Sequence, residues 1–418
     1  MSRTVILVID GFGIGAMPDA GRLRPGDARA DTLGRLLDHH RARTGRALPL
    51  PGLAALGIGA VHPHPDLPRT PSLPVTAGRA GLGYPGADTY AGHQTMMGAD
   101  FSHVTVARLA EHAGEVAAAL RAAGRRVERW EGRPLLVVDG HTLVHDNLEA
   151  DPGINWNASG RLEETTFEQV LAIASTVREV APVARVIAVA GHSAQPLPCH
   201  VREGDGGTLG LDTPASGFYR NGGLEVRHLG APLDHTRQLP DLAARAGAAV
   251  TLVGKAADLL ACAAAVRRPA VATAEVLAHT AEAVQATGDR PALVVANVQE
   301  TDLAGHQQDA DRYVEVLRRV DAGLEHLAGL LTSPGDRLIV TGDHGNDPLI
   351  GHGYHTREFV PVLVSHPGRA AAGAPVPDAA SLADVGATAA VGLGLDPAAL
   401  GNGRPLPLGP LSGASSRR

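Results

Sequence analysis

Asp343 and His344 form a carboxylate–imidazole pair directly after a short apolar run at residues 336–340. The run predicts a buried strand, and the glycine and proline that follow rule out a regular continuation. His355 stands twelve residues after Asp343. Carboxylates and imidazoles on loops at the carboxyl end of a strand are typical of metal ligands. The alternative interpretation is a turn capped by Asp343, with the histidines on the surface.

Two further strand ends carry the same types of side chain. Asp302 and His306 follow an apolar run at residues 292–297, and Asp10 follows another at residues 4–9. The glycines after Asp10 resemble a dinucleotide-binding fingerprint, but their spacing differs and a carboxylate would repel a pyrophosphate. For Asp10 alone, a place in a turn is the alternative. The three strand ends together offer three carboxylates and three imidazoles, which suit two divalent ions such as Mn²⁺ or Zn²⁺.

Thr89 is the candidate nucleophile, in a segment at residues 87–98 that we interpret as a loop. A metal ion could activate its hydroxyl by lowering the pKa; alternatively, Thr89 caps a helix. In the same segment His93 either contacts a phosphate or packs. Lys255 follows a predicted strand at residues 248–253 and either binds a phosphate as a point charge or is solvated. A hydroxyl beside two cations would indicate an enzyme that catalyses an in-line displacement at phosphorus, which is a phosphoryl transfer.

Composition narrows the classes of function. The chain has 418 residues and a net charge of −7, from 37 basic and 44 acidic residues. This balance argues against a general nucleic-acid binder. The two cysteines suggest neither a disulfide framework nor a thiolate metal site. The N-terminus shows no leader pattern and no apolar run reaches membrane-spanning length, so we expect a soluble cytoplasmic protein that does not act at a membrane.

The order of the predicted elements indicates an α/β protein. Residues 104–222 differ in character and predict a smaller α/β unit of their own. Within it, residues 145–153 are rich in carboxylates, Asp146 among them, and a solvated acidic loop is a serious alternative to a binding role. Residues 200–219 predict an irregular loop. The tail at residues 409–418 is rich in Ser, Gly and Arg and predicts disorder.

The chain resembles the phosphopentomutases of the alkaline phosphatase superfamily. The resemblance lies, in order, in the segments VILVIDGFGIGAMPDA, DTLGRLL, ADTYAGHQTMMG, VTLVGKAADLL, DLAGHQQD, TGDHGNDP and HTREFVPVLV. It implies a three-layer α/β core, formed by residues 1–103 and 223–408, with a smaller α/β cap at residues 104–222 that binds the substrate.

The resemblance also assigns roles to the candidate residues. It implies that Thr89 is the phosphorylated nucleophile and that Lys255 faces the sugar phosphate. The cofactors would be two divalent ions, Mn²⁺ foremost, with Zn²⁺ or Mg²⁺ as alternatives. One ion would be held by Asp10, Asp343 and His344, and the other by Asp302, His306 and His355.

The chain departs from the family pattern in two places. In phosphopentomutases a carboxylate stands five residues before the histidine of the DLAGHQQD segment; here Thr301 has that place and Asp302 is four before, which is closer to cofactor-independent phosphoglycerate mutases. The arginine-rich substrate segment of the cap is also replaced. Arg161 and Arg220 are candidate substrate contacts on charge alone, beside Asp146 and His93.

The function that we expect is a phosphomutase acting on a small phosphorylated substrate. It would transfer a phosphoryl group between the 1- and 5-positions of ribose or deoxyribose phosphate, or a related compound, through a phosphothreonine. The alternatives are a metal-dependent phosphatase or phosphodiesterase of the same superfamily, and a non-catalytic relative that keeps its metals.

Overall fold

The structure is a computed structural model that describes residues 2–22, 24–101, 105–288, 290–367 and 376–408. The predicted disordered tail, residues 409–418, lies outside these ranges. The strands in the described residues are β1 (Arg3–Ile9), β2 (Val75–Ala80), β3 (Val127–Arg129), β4 (Leu136–Val138), β5 (Thr142–Asp146), β6 (Asn155–Arg161), β7 (Arg185–Gly191), β8 (Val201–Glu203), β9 (Leu209–Leu211), β10 (Glu225–Gly230), β11 (Ala249–Gly254), β12 (Val266–Arg268), β13 (Ala292–Val298), β14 (Arg337–Thr341) and β15 (Val360–Ser365).

The α-helices in the same ranges are α1 (Thr32–Thr44), α2 (Pro51–Ala55), α3 (Ile58–Val61), α4 (Thr89–Met96), α5 (Leu109–Ala122), α6 (Phe167–Val180), α7 (Thr213–Ser216), α8 (Leu239–Arg245), α9 (Ala256–Leu259), α10 (Thr273–Ala286), α11 (Glu300–His306), α12 (Ala310–Leu330) and α13 (Ala383–Gly392). None of these helices combines the length and the apolar character that a bilayer crossing requires.

The chain divides into two compact units. The first is formed by Met1–Phe101 and Asp234–Arg418, and the second by Ser102–Leu233. The sequence predicted a smaller unit at residues 104–222; in the structure the second unit also contains β10, which pairs antiparallel with β7 and completes its sheet. That the second unit binds the substrate stays a prediction.

The first unit is built on a seven-stranded sheet in the order β12-β11-β13-β1-β14-β15-β2. The strands from β12 to β14 are parallel, and β15 is antiparallel to both of its neighbours. Helices cover both faces: α1, α10 and α12 pack on one, and α8 and α13 on the other. Strand β1 is buried on both sides, which explains its continuous apolar sequence. The predicted three-layer α/β core is confirmed.

Register brings the polar strand ends together. Ile9, the last residue of β1, lies opposite Val298 of β13, and Val8 lies opposite Thr341 of β14. Because these strands are parallel neighbours, the residues that follow them leave the sheet at the same edge.

The second unit has a six-stranded sheet in the order β10-β7-β6-β5-β4-β3. Helices α5 and α6 pack on it around the fully buried Trp156. One expectation was wrong here: residues 200–219 are not irregular throughout, because β8 and β9 pair within them. For residues 145–153, the alternative of a solvated loop does not hold throughout, since His145 and Asp146 end the buried strand β5.

Candidate active site

The six predicted metal ligands converge at the carboxyl edge of the first unit's sheet. Asp10 follows β1, Asp343 and His344 follow β14, and α11 carries the two ligands that come after β13. The sixth ligand, His355, lies in the segment before β15. Two groups of three side chains have ligand atoms within 4.8 Å of one another: Asp10, Asp343 and His344, and Asp302, His344 and His355.

The first group is completely buried. His344 Nε2 lies 3.5 Å from Asp10 Oδ1 and 3.4 Å from Asp343 Oδ2. Asp343 Oδ1 accepts hydrogen bonds from the backbone N–H groups of Gly11 and His344, at 3.1 Å each. The backbone thus fixes one carboxylate oxygen and leaves the other directed at the imidazole.

His306 lies beside the second group, whose members are Asp302, His344 and His355. Asp302 Oδ2 is 3.4 Å from His306 Nε2, and Asp302 Oδ1 is 3.4 Å from His355 Nε2. Asp302 and His306 are four residues apart on α11, so helix geometry places them on one face. The His344 ring stacks on the His355 ring with 3.8 Å between centroids. His344 is therefore a member of both groups.

The tautomers of the three imidazoles fit a cation. The Nδ1 atoms of His344, His306 and His355 face the backbone oxygens of Gly345, Gly353 and Ala87 at 3.0, 2.7 and 3.2 Å. A carbonyl oxygen only accepts, so Nδ1 carries the proton in each ring and Nε2 presents a lone pair to the site.

Two atoms of the site are buried without a hydrogen-bond partner among the described residues, namely Asp10 Oδ1 and His344 Nε2. The Nε2 atoms of His306 and His355 are 3.1 Å apart. Lone pairs and carboxylates directed at each other in a dry site are unfavourable unless a cation lies among them. The residues therefore fit divalent metal, and the mixed oxygen and nitrogen ligands suit a transition metal.

Burial and mutual charge perturb the acids strongly. Burial, reinforced by neighbouring Asp343, raises the pKa of Asp10 to about 7. Burial acts to raise the pKa of Asp302, but the neighbouring His306, Lys255 and His355 outweigh the effect of burial and hold that pKa well below its ordinary value. Burial, together with the neighbouring His344 imidazole, lowers the pKa of His355 to about 4. His355 is thus neutral at physiological pH, as a ligand must be.

Lys255 occupies a place that the sequence did not foresee. Its Nζ lies 2.8 Å from Asp10 Oδ2 and 3.5 Å from Asp302 Oδ2. One ammonium group thereby touches a carboxylate from each ligand group. The predicted contact of Lys255 with a sugar phosphate stays a prediction.

Thr89 is the first residue of α4 rather than a loop residue. Asp88, not Thr89, caps this helix by accepting a hydrogen bond from the Ala91 N–H at 2.9 Å. The Thr89 hydroxyl donates to Asp343 Oδ2 at 2.7 Å. The proposed nucleophile and the first ligand group are therefore in direct contact.

His93 lies one turn further along α4 and is fully buried. Its Nδ1 faces the Thr89 backbone oxygen at 2.8 Å, and its Nε2 accepts from the Asn297 amide at 3.1 Å. Both ring nitrogens thus have partners within the protein. A contact of His93 with substrate stays a prediction.

Several residues that shape the site were missed by sequence reasoning. Asn346 Nδ2 donates to Asp302 Oδ1 at 2.8 Å, and the Tyr84 hydroxyl lies 3.1 Å from the Asp343 backbone oxygen. Thr301 donates its hydroxyl to the Asp10 backbone oxygen at 2.6 Å. Asn346 and Thr301 are close in sequence to predicted ligands, and this proximity is the one feature of the sequence that could have identified them.

The candidate contacts in the second unit have partners of their own. Asp146 accepts hydrogen bonds from the Leu109 and Leu209 N–H groups at 2.7 and 3.0 Å. Arg161 pairs with Glu164 at 2.9 Å. Arg220 is exposed and donates to a backbone oxygen. Contact of these residues with a substrate stays a prediction.

Comparisons with known proteins agree with a metal-dependent enzyme. Residues 241–397, which contain five of the six ligands, match the family model of the Metalloenzyme superfamily. A phosphopentomutase of Symbiobacterium thermophilum is 31% identical over 417 aligned residues, which cover 94% of this chain and 95% of that protein. A phosphopentomutase of Chromohalobacter salexigens is 32% identical over 450 aligned residues, which cover 100% of this chain and 99% of that protein.

Among solved structures, a phosphoglycerate mutase of Leishmania mexicana matches with a TM-score of 0.45 and 15% identity. The match covers 94% of this chain and 95% of that chain. A TM-score of this size supports no conclusion about activity.

Proposed function

Because the chain belongs to the phosphopentomutase family and is thus an isomerase of the phosphomutase class, we propose that it interconverts the 1-phosphate and the 5-phosphate of ribose or deoxyribose, or of a related sugar. The phosphoryl group would pass through Thr89. A cytoplasmic location stays a prediction.

The observation that carries the proposal is the hydrogen bond from the Thr89 hydroxyl to Asp343 at 2.7 Å. It sets a nucleophilic oxygen against the buried ligand group at the first turn of α4. The amino-terminal end of a helix favours negative charge, so this location also favours an incoming phosphate. A hydroxyl outside such a setting would be a poor nucleophile at neutral pH.

In the proposed reaction, Thr89 Oγ forms a bond to phosphorus while the bond from phosphorus to the sugar oxygen breaks. The proton of the hydroxyl ends on the released sugar oxygen. In the second half, the hydroxyl oxygen at the other sugar position forms a bond to phosphorus, the bond from phosphorus to Thr89 Oγ breaks, and the proton of that sugar hydroxyl returns to Thr89 Oγ. Burial acts to raise the pKa of Asp343, but the neighbouring imidazoles of His344 and His93 have the larger, opposite effect and hold that pKa well below its ordinary value. Asp343 therefore orients the hydroxyl and is too weak a base to retain its proton.

In this proposal the metal cofactor binds at the two ligand groups. Asp10, Asp343 and His344 would hold one divalent cation and Asp302, His306 and His355 a second, with Mn²⁺ the expected metal and Zn²⁺ or Mg²⁺ as alternatives. Bound cations would neutralise phosphoryl oxygens and lower the pKa of the hydroxyl.

The test is to supply Mn²⁺ with ribose 1-phosphate or ribose 5-phosphate, with and without a sugar bisphosphate, and to follow products by ³¹P NMR. We expect interconversion of the two esters. Thr89→Ala should abolish it while the bound metal stays the same. Thr95→Ala, which alters another buried threonine of α4, is the matched control and should retain activity. Release of inorganic phosphate without isomerised ester would instead identify a hydrolase.

A further inference from the structure

Glu358 is a fully buried carboxylate that the proposed reaction does not use. Its Oε1 accepts hydrogen bonds from the hydroxyls of Thr32 and Thr356, at 2.6 Å each. Its Oε2 accepts from the backbone N–H groups of Thr32 and Gly15, at 2.9 and 3.1 Å. Four donors thus saturate one carboxylate that has no basic partner among the described residues.

The four donors come from three segments that are far apart in the chain. Gly15 belongs to the loop after β1, which begins with the ligand Asp10. Thr32 is the first residue of α1. Thr356 directly follows the ligand His355. Glu358 therefore joins the segments that carry ligands to one another and to a helix of the core.

Two glycines show how closely these segments surround the carboxylate. A Cβ atom on Gly13 would lie 2.3 Å from the carboxyl carbon of Glu358, and one on Gly345 would lie 2.4 Å from Oε1. Gly345 is next to His344, and its backbone N–H and C=O both pair with Thr356, at 3.0 and 2.8 Å. No larger residue could stand at either position without moving a ligand-bearing loop.

We propose that Glu358 is a positioning residue that sets the distances between Asp10, His344 and His355, and hence the affinity for the divalent cation. The inference rests on the proposed metal centre. Within the described part of the chain, the hydrogen bonds of Glu358 go to Gly15, Thr32 and Thr356 and to none of the ligand side chains, so Glu358 acts on the loops that hold the ligands. Loss of a residue that orients metal ligands without itself contacting the metal typically lowers metal affinity by about 10- to 100-fold.

Asp321 offers a matched control for the general effect of losing a buried carboxylate. It lies in the same unit on α12 and is buried to a similar degree. It accepts hydrogen bonds from the backbone N–H groups of Gly52 and Leu53 at 3.0 and 2.7 Å. Its partners are in α2, which carries none of the ligands.

The experiment is calorimetric titration of metal-free protein with Mn²⁺. Glu358→Ala should bind Mn²⁺ at least tenfold more weakly. Glu358→Gln should stay within about threefold, since it keeps the shape and the two hydroxyls can turn to accept from its amide. Asp321→Ala should lose stability but keep its Mn²⁺ affinity. If Glu358→Ala does not fold, Thr32→Val, which removes one donor hydroxyl, should weaken binding measurably.

Two results would overturn the inference: an Mn²⁺ affinity of Glu358→Ala equal to that of the unaltered protein, or a loss of Mn²⁺ affinity in Asp321→Ala as large as that in Glu358→Ala. Failure of the unaltered protein to bind Mn²⁺ would remove the metal centre and this inference with it. Intact Mn²⁺ binding without mutase activity would remove only the proposed reaction.

Discussion

Substitution of Lys255 by methionine tests the electrostatic balance of the site. Its ammonium group lies 2.8 Å from Asp10 and 3.5 Å from Asp302, and the three side chains are 11%, 0% and 5% exposed. Methionine keeps the apolar stem of lysine but removes the positive charge. In the metal-free protein, the substitution would leave buried carboxylates without compensation.

The expected loss in the free energy of unfolding follows from the burial of these charged groups. Removing one partner of a buried ion pair costs about 3–5 kcal/mol. The lower figure applies here, because Asp10, whose pKa burial raises to about 7, can take up a proton in response. A loss of about 3 kcal/mol in a unit of this size lowers Tm by roughly 5 °C, from an unfolding entropy of about 2.1 cal/mol/K per residue. With Mn²⁺ bound, the cations would neutralise the same carboxylates, and the loss should fall below about 1 kcal/mol, the range of exposed pairs.

The assay is scanning calorimetry at pH 7.5, once in a chelator and once in saturating Mn²⁺. Calorimetry is needed because both tryptophans, Trp130 and Trp156, lie in the second unit and do not report on the first. Lys255→Arg, which keeps the charge, is the control and should show a smaller loss in the chelator. An equal loss in both conditions would refute the reasoning, since it would mean that the ammonium group and the cations do not share carboxylates.

Two further predictions concern other parts of the chain. Burial lowers the pKa of His145 from 6.5 to about 4, so the second unit should be fully stable above pH 6.5 and lose up to about 3 kcal/mol as the pH falls towards 4. Urea unfolding followed by tryptophan fluorescence measures this loss, and His145→Gln should remove it; a midpoint independent of pH would contradict it. Asn346→Ala removes the 2.8 Å hydrogen bond to Asp302 and should weaken Mn²⁺ binding about tenfold by calorimetry, whereas unchanged affinity would show that Asp302 is held by other groups.

The core strands were predictable because the central strands of a covered parallel sheet carry continuous apolar sequence. Strands β1, β13 and β14 are buried along their whole length, and each was recognised. Strand β6 was missed although it is as deeply buried, because its sequence, NWNASGR, is largely polar. Ser159 of β6 finds its partner only in the folded unit, where it lies 2.8 Å from the His145 ring nitrogen on β5.

The candidate ligands were predictable for a related reason. Each follows a recognisable strand, and neighbouring parallel strands end at one edge, so the side chains could be brought together without coordinates. The positions of Lys255 and Tyr84 could not be anticipated. Their contacts join residues more than two hundred positions apart, and nothing local distinguishes them from a solvated lysine or a packed tyrosine.

The departure at Thr301 shows how the spacing of the ligands follows from α11. Asp302 and His306 differ by four residues, so both face the site and their ligand atoms are 3.4 Å apart. Residue 301 is turned about 100° around the helix, and its hydroxyl donates to the Asp10 backbone oxygen. A carboxylate at position 301 would place its oxygens, which only accept hydrogen bonds, against the Asp10 backbone oxygen, which also only accepts, and burial would make this contact unfavourable. In this backbone geometry the ligand therefore belongs at 302, and a hydroxyl donor suits 301 because it fixes the loop that carries Asp10.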